Sequence, residues 1–172
     1  FIAMEYLPGQ TLESFAKQKP LENEALVDLA IQIADALDAA HQAGVVHRDI
    51  KPANIHVDAQ SRIKVLDFGL AKRTDTKVAG DTGATTEEQT EPGKVMGTPC
   101  YMSPEQARGE ALDHRSDLFS LGIVLYQLTT SRLPFKGSSF AETVEKITRA
   151  QPEAIARFNY DIPSELDRII RK

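Results

Sequence analysis

The apolar residues between positions 23 and 43 recur at steps of three and four, which is the spacing of one face of an α-helix. They are Leu26, Leu29, Ala30, Ile33, Leu37 and Ala40. The pattern predicts an amphipathic helix from about Asn23 to Ala43. Gly44 follows it and is a residue type that commonly ends helices, so we expect the helix to stop there.

Three further segments predict helices. Residues 116 to about 130 are apolar on most faces, which suits a helix buried at the centre of the molecule, and Pro134 is expected to end it. Residues 140 to about 148 predict a second helix. Residues 163–171 predict a third, with Pro163 near its N-terminus, where proline is favoured.

Two short runs of β-branched residues, 55–57 and 63–65, predict a small pair of strands. Helical patterns cover far more of the chain than strand patterns do. The expected fold class is therefore α+β, mainly α-helical, with a small β-hairpin.

Composition and charge narrow the function classes. With 41% apolar and 26% charged residues, the chain is ordinary for a soluble globular protein. A formal net charge of −5 provides no broad basic surface, so nucleic acid is not an expected partner. The single cysteine, Cys100, excludes an internal disulfide, and the four histidines lack paired zinc-ligand spacing. A reducing cytoplasmic setting is expected.

Two motifs carry chemistry. Residues 47–54 read HRDIKPAN, and residues 67–69 read DFG, eighteen positions after Asp49. Each motif alone could be an ordinary polar turn. Their order and spacing, with Lys51 and Asn54 in register, instead match a pattern used for phosphoryl transfer.

The residue types suit that reaction, because transfer of a γ-phosphoryl group needs positioning and charge neutralisation more than covalent chemistry. Asp49 would accept or orient the proton of the incoming hydroxyl. Lys51, two residues on, can direct a positive charge at the transferring phosphate. Asn54 and Asp67 offer oxygen atoms, which are the ligands that Mg²⁺ prefers, and nucleotide phosphates would complete the site.

Nearly the whole chain resembles the protein kinase family. Residues 97–106, GTPCYMSPEQ, are similar to the end of a kinase activation segment, with Ser103 in place of the commoner alanine. Residues 117–122, DLFSLG, are similar to the start of the long buried helix of kinases. The wording of these motifs most resembles bacterial Ser/Thr kinases of the eukaryotic-like type, which implies transfer of phosphate from MgATP to protein Ser/Thr hydroxyls.

The resemblance implies roles for individual residues. The implied catalytic residues are Asp49, Lys51, Asn54, Asp67 and Thr98. The implied nucleotide-binding residues are Met4, Glu5, Leu7, Lys51, Asn54, His56 and Asp67, of which Asn54 and Asp67 would hold Mg²⁺. The implied structural residues are His47, Phe68, Gly69, Glu105 and Asp117. His56 departs from the family pattern, which has leucine or methionine under the adenine.

The resemblance also implies the domain organisation. Residues 1–172 would be a partial kinase domain, in which 1–9 form the last small-lobe strand and the hinge. Residues 10–172 would form the C-terminal lobe, with the hairpin at the catalytic loop and the activation segment at 67–105. Because the chain lacks a glycine-rich loop and a strand lysine, we expect it to be inactive without its small lobe.

A threonine-rich stretch from Lys72 to Lys94 suggests regulation. In the family, the equivalent of Arg48 grips a phosphate on this loop. Thr90 is the first candidate for phosphorylation, followed by Thr86 and Thr85. The alternative is that the stretch is simply a solvated loop.

Several alternatives remain open. A non-catalytic module, either a pseudokinase or a lobe kept for docking near Phe140, would share these motifs if the missing lobe were defective. Small-molecule kinases carry a similar aspartate and asparagine but lack the segment at 97–106. Dimerisation for trans-autophosphorylation, and a membrane anchor outside this fragment, would be compatible with the kinase interpretation.

Overall fold

The computed structural model describes residues 5–18, 21–68, 72–73 and 99–172. The helices are α1 (Leu12–Gln18), α2 (Asn23–Gln42), α3 (Pro104–Arg108), α4 (Arg115–Thr130), α5 (Phe140–Arg149) and α6 (Ser164–Ile170). The strands are β1 (Gln10–Thr11), β2 (Val45–Val46), β3 (Ile55–Val57), β4 (Ile63–Val65) and β5 (Lys72–Arg73). Short 3₁₀ helices occupy Pro52–Asn54, Pro99–Tyr101 and Ile155–Arg157.

The predicted strand pair is confirmed as the antiparallel hairpin β3–β4, with Ile55 opposite Val65 and Val57 opposite Ile63. Strand β1 pairs antiparallel with the other edge of β3, which gives a three-stranded sheet in the order β1-β3-β4. A second sheet pairs β2 with β5, also antiparallel. The catalytic-loop motif leaves β2 and enters β3, so its two ends are fixed in different sheets.

The helix α2 buries the apolar face that its sequence predicts. Leu26, Leu29, Ile33 and Leu37 are at most 2% exposed. They join one core with residues from α1, β3, α4 and α6, among them Leu12, Ile55, Val124 and Ile170. Among the described residues, no helix is both long and apolar enough to cross a membrane.

The helix α4 is buried on most of its faces, as the sequence predicts, and it begins one residue before the predicted start. Its end near residue 130 agrees with the prediction, but the residue that terminates it is Ser131 and not Pro134. The helix stops at Thr130, where Ser131 takes a left-handed conformation with φ 56° and donates its N–H to the carbonyl of Gln127. The chain has therefore left the helix before it reaches the proline.

The helices α5 and α6 lie where the sequence predicts them, within one or two residues. The N-cap of α5 is Ser139, whose side chain accepts a hydrogen bond from the Glu142 N–H. Pro163 caps α6. A second, smaller core packs Ile147 of α5 against Ile123 and Phe135.

Gly9 passes so close to the β3–β4 hairpin that only glycine fits. Its φ is +128°, and a Cβ atom there would lie 2.3 Å from the carbonyl oxygen of Val57 and 2.8 Å from Cε1 of His56. Gly9 immediately precedes β1, so this close approach fixes how residues 5–9 enter the sheet.

We expect Gly9→Ala to lower the free energy of unfolding of the intact protein by about 2–5 kcal/mol, because backbone strain adds to steric overlap. The matched control is Gly109→Ala, where φ is +67° but no atom lies within 4 Å of the added Cβ. That variant should lose only about 1–2 kcal/mol, the cost of the left-handed conformation alone. Urea unfolding checks both, and equal losses would contradict the steric argument.

Candidate functional site

A single buried carboxylate holds the backbone of the catalytic loop. Asp117, in the first turn of α4, is 0% exposed. Its Oδ2 accepts the His47 N–H at 2.8 Å, and its Oδ1 accepts the Arg48 N–H at 2.7 Å. Arg48 has φ +71°, an uncommon conformation for a non-glycine residue, so the two bonds stabilise a turn that is otherwise unfavourable.

A third donor reaches the same carboxylate. Nε2 of His41, near the end of α2, lies 2.8 Å from Oδ2 of Asp117. A buried carboxylate is stable only when donors satisfy its lone pairs, and Asp117 has two backbone donors and one side-chain donor. The sequence analysis missed this role of His41, because no motif surrounds His41 four residues before Val45.

Asp49 lies at the centre of the candidate site. Its Oδ2 accepts hydrogen bonds from Lys51 Nζ at 2.7 Å and from Asn54 Nδ2 at 3.0 Å. Asn54 Nδ2 also contacts the Asp49 carbonyl oxygen at 2.9 Å. The side chains of Asp49 and Lys51 are each about one-third exposed, at 34% and 33%, so a substrate can reach the pair from solvent. The structure thus brings three of the predicted catalytic residues together.

His47 joins the catalytic loop to the segment that carries Asp67. It is fully buried, its Nδ1 accepts the Asp49 N–H at 3.2 Å, and its Nε2 lies 2.7 Å from the Leu66 carbonyl oxygen. A carbonyl oxygen can only accept, so Nε2 donates this hydrogen bond. The ring also meets Phe68 edge to face at 4.7 Å. The predicted structural role of His47 therefore has a definite geometry.

The two predicted Mg²⁺ ligands lie on adjacent segments. Asn54 is buried, and its backbone carbonyl oxygen accepts the Leu66 N–H at 2.8 Å. Asp67, which follows Leu66, is exposed and has φ +63°. One exposed carboxylate and one amide oxygen fit the preference of Mg²⁺ for few protein ligands. Among the described residues, no cluster of three or more His, Cys, Asp or Glu side chains could hold a metal.

A second part of the site is an open cavity of about 410 Å³ beside the hairpin. Its lining includes three of the predicted nucleotide-binding residues, Glu5, Leu7 and His56. Lys64, which also lines the cavity, donates from Nζ to both carboxylate oxygens of Glu5, at 2.8 and 2.9 Å. The remaining lining residues are Pro8, Asp58, Arg62 and Ile63. Lys51, Asn54 and Asp67 do not line this cavity.

The segment after residue 98 packs against the same helix that holds the catalytic loop. Ser116 of α4 donates to Glu105 Oε1 at 2.7 Å, and Ser120 donates to the Tyr101 carbonyl oxygen at 2.7 Å. The sequence singled out Glu105 but neither serine. The first two turns of α4 thus contact both the catalytic loop and the Pro99–Arg108 segment.

Burial raises the pKa values of two neighbouring side chains in this segment. Cys100 is 2% exposed, and burial raises the pKa of its thiol, which disfavours the reactive thiolate. This environment disfavours a nucleophilic role for Cys100. Burial also raises the pKa of Tyr101 to about 12, and its hydroxyl donates to Gln127 Oε1 at 2.5 Å.

Some predicted residues lie outside the described part of the chain. They are Met4, Gly69, Thr85, Thr86, Thr90 and Thr98. The predicted roles in nucleotide contact, regulation and catalysis for these positions stay predictions. Arg48, the predicted phosphate-binding residue, is described and half-buried.

Comparison with known proteins gives a consistent result. The sequence matches the family described as protein kinase domain over residues 1–172. A probable serine/threonine-protein kinase of Streptomyces coelicolor is 42% identical over 173 residues, covering 100% of this chain and 24% of that protein. Serine/threonine-protein kinase pkn3 of Myxococcus xanthus is 45% identical over 177 residues, covering 99% and 31%.

A third relative, the serine/threonine-protein kinase PrkC of Bacillus subtilis, is 38% identical over 173 residues, covering 100% of this chain and 25% of that protein. The chain therefore spans between 24% and 31% of the length of these three relatives. Because the family match includes every residue, the resemblance inferred from the motifs is confirmed, and the chain belongs to the protein kinase family.

Proposed function

We propose that this chain is the C-terminal lobe, with the hinge, of a Ser/Thr protein kinase that transfers the γ-phosphoryl group of ATP to protein Ser/Thr hydroxyls. The observation that carries the proposal is the contact of Lys51 and Asn54 with the same carboxylate oxygen of Asp49. A solvent-accessible carboxylate held by a cation and an amide suits the orientation of an incoming hydroxyl.

The protein groups would divide the work as follows. Asp49 accepts or orients the hydroxyl proton, with one of its oxygens held in place by Asn54. Lys51, already 2.7 Å from Asp49, is close enough to direct its charge at a phosphoryl group bound beside that carboxylate. Asn54 and Asp67 would hold Mg²⁺, which neutralises charge on the phosphate oxygens when bound.

The nucleotide base would bind between the hinge and the hairpin, where Glu5, Leu7 and His56 line one cavity. His56 would present its imidazole to the base in place of an aliphatic side chain, and Met4 would lie beside it. This assignment is supported by the cavity that Glu5, Leu7 and His56 line, although His56 departs from the family pattern.

The finer organisation belongs to the same proposal. Residues 1–9 would be the last small-lobe strand and the hinge, 10–172 the C-terminal lobe, and 67–105 the activation segment. Thr98 would contact Asp49 and Lys51 in the assembled site. We propose a cytoplasmic catalytic domain whose protein substrates include a second copy of itself.

Regulation by phosphorylation forms the last part of the proposal. Arg48 precedes Asp49 and would bind a phosphothreonine of the activation segment through a charge-assisted contact. Thr90 is the first candidate, then Thr86 and Thr85. Mass spectrometry of the autophosphorylated full-length protein would identify the modified threonine.

The full-length protein, completed from its gene, is expected to transfer radiolabelled phosphate from ATP to Ser and Thr only when Mg²⁺ is present. The isolated 172 residues should give no signal above background, because the lysine that positions the phosphates lies in the small lobe in this family. Phosphoamino acid analysis checks the acceptor, and chelation of Mg²⁺ is the control.

Negligible transfer by folded full-length protein, with and without Mg²⁺, would favour the competing function of a non-catalytic docking module. Activity of the isolated chain that is lost on Asp49→Asn would instead contradict the assignment of the missing lobe. Phosphotyrosine as the main product would contradict the Ser/Thr assignment.

A further inference from the structure

The carbonyl oxygen of Arg48 has a partner from the segment that follows residue 98. Nε2 of Gln106, in α3, donates to this oxygen at 2.6 Å. The Arg48 N–H donates to Asp117 Oδ1 at 2.7 Å. Arg48 is therefore fixed at both its N–H and its carbonyl, on opposite sides of a residue with φ +71°.

The orientation of the Gln106 carboxamide is determined by a second contact. Its Oε1 accepts the N–H of Ser103 at 2.9 Å, and the Gln106 N–H reaches Ser103 Oγ at 3.3 Å, which together form a capping box at the start of α3. Since one partner is an N–H and the other a carbonyl, only this orientation gives two hydrogen bonds. The reversed amide would place like groups together at both ends.

We infer that Gln106 is a positioning residue, which sets the geometry of Asp49 through the peptide that joins it to Arg48. The inference rests on the proposed phosphoryl transfer and deepens it. The Arg48 carbonyl belongs to the peptide bond whose nitrogen is that of Asp49, so a shift of this oxygen rotates the plane that carries the Asp49 N–H. That N–H is bonded to His47 Nδ1 at 3.2 Å.

The contact also links the Pro99–Arg108 segment to the catalytic loop. α3 follows the 3₁₀ helix Pro99–Tyr101, so a change in the position of this segment moves the donor that fixes Arg48. Ser103 is fully buried and Gln106 partly so, which limits competition from water. The Ser103 backbone N–H, and not its hydroxyl, aims the Gln106 carboxamide at the loop through its bond to Oε1.

The informative variant is Gln106→Glu. Glutamate keeps the acceptor for the Ser103 N–H and suits the first turn of a helix, so the capping box and α3 remain stable. It cannot donate to the Arg48 carbonyl and brings a second oxygen towards it. In the full-length protein we expect kcat to fall about tenfold, the scale of one lost hydrogen bond with an unfavourable contact. KM for ATP should stay within about threefold.

The matched control is Ser103→Ala, which removes the hydroxyl acceptor but keeps the Gln106 bonds to the Ser103 N–H and the Arg48 carbonyl. This variant should lower the thermal midpoint through the weaker cap while kcat stays within about twofold. A purely structural role for Gln106 would instead leave kcat normal in Gln106→Glu. Either normal kcat there, or parallel losses of kcat in both variants, would overturn the inference.

Amide hydrogen exchange provides a readout that does not depend on activity. Peptides covering residues 46–51 should exchange faster in Gln106→Glu than in wild type, and Ser103→Ala should match wild type, because the Arg48 contact remains. If wild type transfers no phosphate, the proposed function fails while this exchange pattern still tests the contact. Unchanged exchange in Gln106→Glu would overturn the positioning role.

Discussion

Replacing Asp49 by asparagine is expected to lower kcat of the full-length protein by about 100- to 10,000-fold, the range typical of a lost general acid–base group. Asparagine has nearly the same shape but no negative charge to accept a proton. It also brings an N–H₂ group to a site where Lys51 and Asn54 both donate to one carboxylate oxygen. Radiolabelled phosphate transfer, measured with saturating MgATP, checks the result.

The matched control for Asp49→Asn is Asp35→Asn, the same chemical change at an exposed position on α2. Exposed surface substitutions away from a core or a functional site change stability by about 0.5 kcal/mol at most. Asp35→Asn should therefore stay folded and keep kcat within about twofold of wild type. Circular dichroism and the thermal midpoint should show both variants folded. An Asp49→Asn protein with normal kcat would exclude Asp49 as the catalytic base.

The elements with strong periodicity were predictable from the sequence because they are long enough to display it. α2 extends over several turns, and its apolar face appears directly in the order of residues, whereas α4 was predicted from apolar residues on most of its faces. The helices α1 and α3, of seven and five residues, were missed, since one or two turns give too few positions to define a face. α3 did carry a readable signal, a Ser-x-x-Gln capping box.

The candidate site was predictable where a motif spans contiguous residues and not where partners come from distant segments. Asp49, Lys51 and Asn54 lie within six positions, and the structure brings them into contact. His41 contacts Asp117, which is 76 residues away along the chain, and Gln106 contacts the loop residue Arg48 from 58 residues away. Nothing in the local sequence of either residue specifies that distance, so only the folded chain reveals them.

Pro134 was predicted to end α4 because proline stops helices, but it is not the residue that ends this helix. Proline does stop helices, but Ser131 had already turned the chain by taking a left-handed conformation. Serine is not a residue from which this geometry is normally predicted, since glycine and asparagine fill such positions more often. The end of α4 is therefore set by the left-handed conformation of Ser131 and not by the proline.

Asp117→Asn should lower the free energy of unfolding by about 2–4 kcal/mol, because it leaves a buried donor unsatisfied. If Nδ2 replaces Oδ2, it faces the His47 N–H and His41; if it replaces Oδ1, it faces the Arg48 N–H. Neither orientation of the amide can accept from both backbone donors. Urea unfolding of the full-length protein, followed by far-ultraviolet circular dichroism, measures the loss.

The control for Asp117→Asn is Asp38→Asn on the exposed side of α2, where Asp38 accepts only a hydrogen bond from Gln42 at 2.6 Å among the contacts described. Its free energy of unfolding should change by less than about 0.5 kcal/mol. Asp117→Asn should also lower kcat, because the hydrogen bonds it breaks hold His47 and Arg48, the two residues that precede Asp49. Wild-type stability in Asp117→Asn would mean that the loop does not depend on the buried carboxylate. Normal kcat with reduced stability in Asp117→Asn would mean that this support of the loop is not needed for catalysis by Asp49.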